Sequence, residues 1–272
     1  FWAKHMKDYG TNIVAGVTPG KEGQNVDGIP VYHTVQRAIA EHEIDATLLV
    51  VPPKAACASI REALDAGIKT IVVTAEGIPL QDALEIRRLG KLCGATIIGS
   101  NSTGLLSTGK CMMGFFPVWL ERVYQRGSIG VMTRSGSLTN EVTAQIIKAG
   151  FGTTTMVGVG GDATTFTRFA ELLPLFEADP ETEAVVIIGE LGGTMEEEVA
   201  EAIEKGIFTK PLVASLGGRT APKGTKMGHA GAIISAGKGS VQDKIDALTA
   251  AGASVADRPS AVGQLLRERL RK

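Results

Sequence analysis

The chain has 272 residues, 44% hydrophobic and 21% charged, which is enough apolar material for the cores of about two domains. A net charge of −1 argues against a general nucleic-acid binder, and no apolar run approaches the roughly 18 residues of a membrane span. Three scattered cysteines without a CxxC pair exclude a disulfide framework or zinc ribbon and point to a reducing compartment, the cytoplasm or, in a eukaryote, the mitochondrial matrix.

The chain opens with helical character at Trp2–Lys7 where a doubly wound domain normally starts with a strand and a phosphate-binding turn. The expectation is that this first strand and turn precede Phe1. Strands are predicted at Asn12–Val17, Ala46–Val51, Thr70–Val73 and Thr96–Ile98, with helices over Thr34–His42, Ala55–Ala66 and Leu80–Leu92 between them. Continuous apolar strands separated by helices mean a parallel sheet covered on both faces. Residues 99–127 break this rhythm, with no clean period. Alternation resumes with strand Ile129–Thr133, helix Leu138–Ala149, strand Thr155–Val159 and helix Thr165–Phe176. Strand Ala184–Ile188, helix Met195–Lys205 and strand Pro211–Ser215 follow, then a glycine-rich stretch over 217–239. A helix over Val241–Ala251, a short strand near Ser254–Ala256 and a helix after Pro259 close the chain. The fold class is therefore α/β: a Rossmann-like lobe over 1–100, a connecting segment over 101–127 and a second parallel α/β lobe over 128–272.

Glycine is the compositional outlier, with 34 residues clustered after apolar runs. Glycine at strand ends lets backbone approach a phosphate closely. His229 lies in Gly228-His229-Ala230-Gly231, where little bulk surrounds the imidazole, so it is placed to act as nucleophile or proton carrier. A structural histidine in a turn is the alternative from spacing alone. Glu190 follows a strand and could orient an imidazole, or could be a solvated loop acid. Arg134 and Ser135 end one strand and open a helix, a setting in which Arg134 can fork onto a carboxylate or phosphate and the helix start can face an anion. Gly158-Val159-Gly160-Gly161-Asp162 has a Gly-x-Gly without the full dinucleotide fingerprint, which argues against an NAD-dependent oxidoreductase. Loops bearing Lys21, Pro52 and Thr74-Ala75-Glu76 end three strands on one sheet edge and could line one elongated ligand. No Walker motif is present, so this chain is not expected to bind ATP alone.

The ordered motifs GVTPGK (16–21), GIP (77–79), RSGSLTNE (134–141), VGVGGD (157–162), IIGELGG (187–193), TAPKG (220–224) and MGHAGAII (227–234) resemble the alpha subunit of succinyl-CoA synthetase, within the nucleoside-diphosphate-forming acyl-CoA synthetases. The resemblance runs the length of the chain. It implies a CoA-binding Rossmann-like lobe followed by a flavodoxin-like lobe with a phosphohistidine at His229, oriented by Glu190. It implies CoA contacts at Lys21, Thr74, Ala75 and Glu76, with Pro52 on the adjoining loop; the family's glycine-rich CoA loop would lie before Phe1. It further implies a beta subunit of ATP-grasp fold that carries ATP or GTP with Mg. Substrate contacts fall at Asn140, Arg134, Ser135 and Asn101. Two departures lie on the substrate side: Asn140 stands where the family usually has tyrosine, and Gly99-Ser100-Asn101-Ser102-Thr103-Gly104 where it has GPNCPG. The segment from Gly114 is also slightly longer than usual. Asparagine in place of tyrosine swaps bulk for hydrogen bonding, and ATP-citrate lyase has an asparagine in the corresponding segment. The expected acid is thus succinate or a more polar one, with citryl-CoA, malyl-CoA or sulfo-acid ligase chemistry, or a non-catalytic acyl-CoA-binding regulator, as alternatives.

Overall fold

Short aliphatic and β-branched runs form the strands of this chain, and the longer amphipathic runs between them form its helices. A computed structural model describes residues 1–219, 228–233 and 239–270; the TAPKG motif and both ends of MGHAGAII lie outside the described residues. Helix α1 (Trp2–Asp8) leads into a small sheet of β1 (Gly16–Val17), β2 (Asn25–Val26) and β3 (Ile29–Tyr32), in which β3 is central, parallel to β1 and antiparallel to β2. Helix α2 (Val35–Ile39) is capped by Thr34, whose hydroxyl accepts from the Arg37 N–H. Then β4 (Ala46–Leu49), α3 (Pro53–Asp65), β5 (Thr70–Val73), α4 (Leu80–Leu92) and β6 (Thr96–Ile98) build a parallel sheet in the order β4-β5-β6. Pro53 starts α3, where its missing N–H removes no helix bond.

The strand expected over Asn12–Val17 is confined to Gly16–Val17 and belongs to the small sheet. The residue just before the expected strand is held elsewhere: the Thr11 hydroxyl donates to the Met112 carbonyl at 2.6 Å and accepts from the Met112 N–H at 2.9 Å. The aperiodic stretch 99–127 contains a hairpin, β7 (Gly104–Ser107) and β8 (Cys111–Gly114). Part of the connecting segment thereby supplies two strands to the second sheet, with β7 antiparallel to a strand of that sheet, β10 (Thr153–Gly158).

The remaining elements are β9 (Arg126–Thr133), α5 (Gly136–Lys148), α6 (Phe169–Ala178), β11 (Ala184–Glu190), α7 (Met195–Glu204), β12 (Leu212–Gly217), α8 (Val241–Ala250), β13 (Ser254–Ala256) and α9 (Val262–Leu270). Helix α6 begins four residues later than the apolar pattern suggests. Thr167 donates to the Ile97 carbonyl at 2.7 Å and keeps the preceding segment extended, and Glu171 folds back onto the Arg168 N–H at 3.0 Å to start the helix. Among the described residues no helix is long and apolar enough to cross a membrane.

The second sheet runs β13-β12-β11-β9-β10-β7-β8, and its pairings from β13 to β10 are parallel. Taken from β9, the parallel strands lie in the flavodoxin-like order 2-1-3-4-5. The chain leaves β9 to one side for β10 and returns to its other side for β11, so the topological switch point lies between the carboxyl ends of β9 and β11. Strand β11 is buried along its whole length. Phe169, Leu173, Phe176 and Val199 cover one face of the sheet, and Val142, Ile146, Val262 and Leu266 the other. Each such side chain contributes about 1.5–3 kcal/mol on burial, which makes this sheet a rigid support for the residues at its end.

Candidate functional site

The switch point places Arg134 at the end of β9 beside Glu190 at the end of β11, and the Arg134 N–H donates to the Ile188 carbonyl at 3.0 Å. His229 arrives from the glycine-flanked segment. Its Nδ1 lies 3.0 and 2.9 Å from the two Glu190 carboxylate oxygens. An ionised carboxylate only accepts, so Nδ1–H donates and Nε2 keeps its lone pair. The hydrogen bond to Glu190 holds the His229 pKa above the usual imidazole value, against the opposing effect of partial burial. The floor beneath the ring is Gly161: a β-carbon there would lie 2.6 Å from His229 Cγ. Only glycine leaves room for the imidazole, and the Gly231 N–H donates to the Gly161 carbonyl at 3.1 Å to fix the loop above it.

Arg134 departs from its expected setting. Its side chain is 2% exposed and turned inward, with its guanidinium 3.3 Å from Glu190 and 3.5 Å from Glu196. It also donates to the Gly192 carbonyl at 2.9 Å. The fork that sequence reasoning directed at substrate grips two carboxylates of the chain itself. Ser135 is buried at the start of α5 and makes no side-chain capping bond, which leaves the N–H groups of the first turn without a cap from Ser135.

Asn140 lies one turn into α5, where its Oδ1 accepts a hydrogen bond from the Tyr124 hydroxyl. Burial pushes the Tyr124 phenol upward, so it remains a donor. Sequence reasoning missed Tyr124, which sits in the aperiodic stretch; the substitution at Asn140 was the only signal that a partner was needed. Both line a cavity of about 440 Å³ with Thr103, Phe115, Trp119 and Gly136.

The first lobe contributes a more open edge. Lys21, Pro52 and Glu76 are exposed on three separate loops, Thr74 is half-buried with its hydroxyl on the Leu49 carbonyl at 3.0 Å, and Ala75 is buried. Helices α3 and α4 both begin at a proline without a side-chain cap, so their first-turn N–H groups face the same edge. Two uncapped helix starts suit an extended polyanionic ligand such as CoA; Lys21, expected on the same sheet edge, instead follows a strand of the separate small sheet. Asn101 is brought to this edge, its N–H donating to the Ala75 carbonyl at 2.8 Å. Buried Asp162 ties the two edges together. It accepts from the Gly77 N–H at 3.0 Å and the Ser100 hydroxyl at 2.7 Å, next to the glycine under His229.

Comparison with known proteins fits this division. Residues 1–77 match the CoA binding domain family and residues 132–254 the CoA-ligase family. The ADP-forming sulfoacetate–CoA ligase subunit SauD of Bilophila wadsworthia is 64% identical over 267 residues, covering 98% of this chain and 91% of that one. The ADP-forming succinate–CoA ligase subunit alpha 2 of Archaeoglobus fulgidus is 47% identical over 268 residues, covering 98% and 92%. This chain belongs to the alpha-subunit family of ADP-forming CoA ligases. It is an acid–thiol ligase subunit that takes CoA and works with a partner subunit. The alpha chain also superposes on ATP citrate lyase of Methanothrix soehngenii, solved with citrate and coenzyme A, at a TM-score of 0.83 and 27% identity over 89% of its length. It spans only 41% of that larger protein.

Proposed function

We propose that the alpha chain relays a phosphoryl group through His229 and that its acid is a sulfonated carboxylate of the sulfoacetate type. The observation that carries the relay is the imidazole pinned at Nδ1 by Glu190 at the carboxyl edge of the switch point, with no hydrogen-bond partner for Nε2 among the described residues. In the forward direction Nε2 attacks the γ-phosphorus of ATP, the bond to ADP breaks, and the Nδ1 proton stays on the Glu190 side. Glu190 stabilises the positive charge that the ring acquires as the N–P bond forms. The substrate carboxylate then attacks phosphorus, the N–P bond breaks, and the ring returns neutral. The acyl phosphate is reactive towards thiols, and CoA supplies the thiol that releases phosphate. The first turn of α5 and its Ser135 are the groups we assign to the phosphoryl oxygens.

The partner is read as a beta subunit of ATP-grasp fold carrying nucleotide and Mg. Lys21, Pro52, Thr74, Ala75 and Glu76 form the CoA edge, with Asn101 at its inner end. The free thiols of Cys57, Cys93 and Cys111 suit the cytoplasm.

The substrate class rests on Asn140. With its Oδ1 occupied by Tyr124, its amide N–H groups remain as donors, which suits an anionic group with more acceptor oxygens than a carboxylate, as the three of a sulfonate. Identity of 64% to a sulfoacetate–CoA ligase subunit against 47% to a succinate–CoA ligase subunit supports the same reading. The test is the reconstituted pair with a panel of sulfoacetate, succinate, citrate and malate, following CoA-dependent ADP release. Sulfoacetate is expected to give the highest kcat/KM. A panel led by succinate would remove the assignment of Asn140, and a wild-type complex that takes no acid-labile label from γ-labelled ATP would remove the relay.

A further inference from the structure

Behind Glu190 the charges continue into the protein. The Arg134 guanidinium stands between Glu190 at 3.3 Å and Glu196 at 3.5 Å. Glu196, in the first turn of α7, accepts from the Glu190 N–H at 3.2 Å through the same oxygen. Its other oxygen is ion-paired with Lys244 of α8. Lys244 reaches Glu197 at 3.0 Å and the Gly193 carbonyl at 3.1 Å as well. The Glu196 and Lys244 side chains are both 0% exposed. Gly189, in the strand that ends at Glu190, makes room for Glu196: a β-carbon there would strike its carboxylate. Four alternating charges thus run inward from the imidazole: Glu190, Arg134, Glu196 and Lys244.

A buried ion pair is a poor way to stabilise a fold, since apolar residues of similar volume do as well or better. This one is aimed at a functional group. We propose that Glu196 and Lys244 are positioning residues for the chemistry at His229: Glu196 holds Arg134 from behind and the Glu190 backbone from below, and Lys244 balances Glu196 so that it does not draw Arg134 away from Glu190. The inference rests on His229 as the phosphoryl carrier. Glu190 then keeps one orientation in which it both accepts from Nδ1 and touches Arg134. Among the described residues the charged groups facing His229 are Glu190 from β11, Arg134 after β9 and Glu76 after β5, with Asp162 engaged by Ser100 and Gly77 on the neighbouring loop.

The relay predicts opposite signs for its two ends. In Glu196→Gln, Arg134 is released onto Glu190, competes with the imidazole, and lowers the titration midpoint of His229 by roughly half a unit. In Lys244→Met, the unbalanced Glu196 draws Arg134 off Glu190, and the midpoint rises by a similar amount. Glu196→Asp keeps the charge pair with Lys244, and with it the fold, yet withdraws from Arg134; it too should lower the midpoint. The measurement is NMR titration of histidine-labelled alpha chain in its complex with the partner subunit, without nucleotide, with the signal assigned by its loss in His229→Asn. Phosphohistidine formation in single turnover should slow roughly tenfold in Glu196→Gln, with KM for the acid unchanged. A midpoint that stays fixed in Glu196→Asp, or moves the same way in Glu196→Gln and Lys244→Met, overturns the proposal. Normal labelling of the variants with fixed midpoints would sink the charge chain from Glu190 to Lys244 and leave the phosphoryl reading standing. A wild-type complex that takes no label would sink the phosphoryl reading, while the titrations still report on the charges.

Discussion

The two edges that meet in this subunit are built by opposite rules. At the ends of β9 and β11, His229, Glu190 and Arg134 are locked by ion pairs and backbone bonds over a fully buried strand. At the ends of β1, β4 and β5, Lys21, Pro52 and Glu76 stand exposed on separate loops. Charge that develops during a reaction must find its partners already oriented, because reorganisation adds to the barrier. A charged ligand such as CoA brings its own fixed charges and can order loops as it arrives, at some loss of affinity. The chemistry is therefore expected to be intolerant of small changes on the ligase edge, and binding to be tolerant of them on the other.

The largest break comes from His229→Asn. It should abolish acid-labile labelling and lower turnover by at least about 10³-fold, with CoA affinity by calorimetry unchanged. A matching loss of CoA affinity would dissolve the contrast between the edges. Glu190→Gln should slow labelling by about 10²-fold, since the ring loses both its orientation and a counter-charge. Its pH profile carries a sign. Nε2 must be unprotonated to accept a phosphoryl group, and Glu190 raises the His229 pKa. The wild-type rate should thus climb as pH rises through that raised value, and the variant should climb at lower pH. Asn140→Tyr sharpens the substrate side: the preference for sulfoacetate over succinate should shrink by roughly tenfold in kcat/KM, with labelling by ATP intact. Lys21→Ala should weaken CoA about fivefold, more at low salt than at high, without touching labelling.

The smallest effect is on stability. A histidine whose pKa is raised on folding stabilises most below its unfolded value near 6.5, and that contribution is lost as pH rises through the folded value. The difference in Tm between wild type and Glu190→Gln should be widest below pH 6.5 and close above it, as read by calorimetry at several pH values.

Much of this was legible in the sequence, for identifiable reasons. His229 was visible because glycines flank it, and Glu190 because it follows an unbroken aliphatic strand. Both signals are local, and parallel α/β sheets put such positions on one edge. Arg134 was located correctly in the chain but its direction was not readable, because a side chain one residue past a strand is freed from the alternation that would orient it. Its partner Glu196 sits in an acidic first helical turn, Glu196-Glu197-Glu198, which reads as a solvated helix start. The β7–β8 hairpin escaped because Leu105-Leu106 and Met112-Met113 lack the β-branched residues by which strands announce themselves. Tyr124 escaped with it, since its importance depends on a side chain sixteen positions away.

That hairpin also determines how one border of the second sheet meets its surroundings. The outermost strand there is β8, and the first lobe satisfies part of its backbone: Thr11 takes both polar groups of Met112, and the Met6 sulfur accepts from the Gly114 N–H at 3.4 Å. A border already clasped by helix α1 and the residues after it has little to offer an incoming ribbon. At this border the clasp therefore guards against unwanted strand-to-strand stacking of one copy on the next.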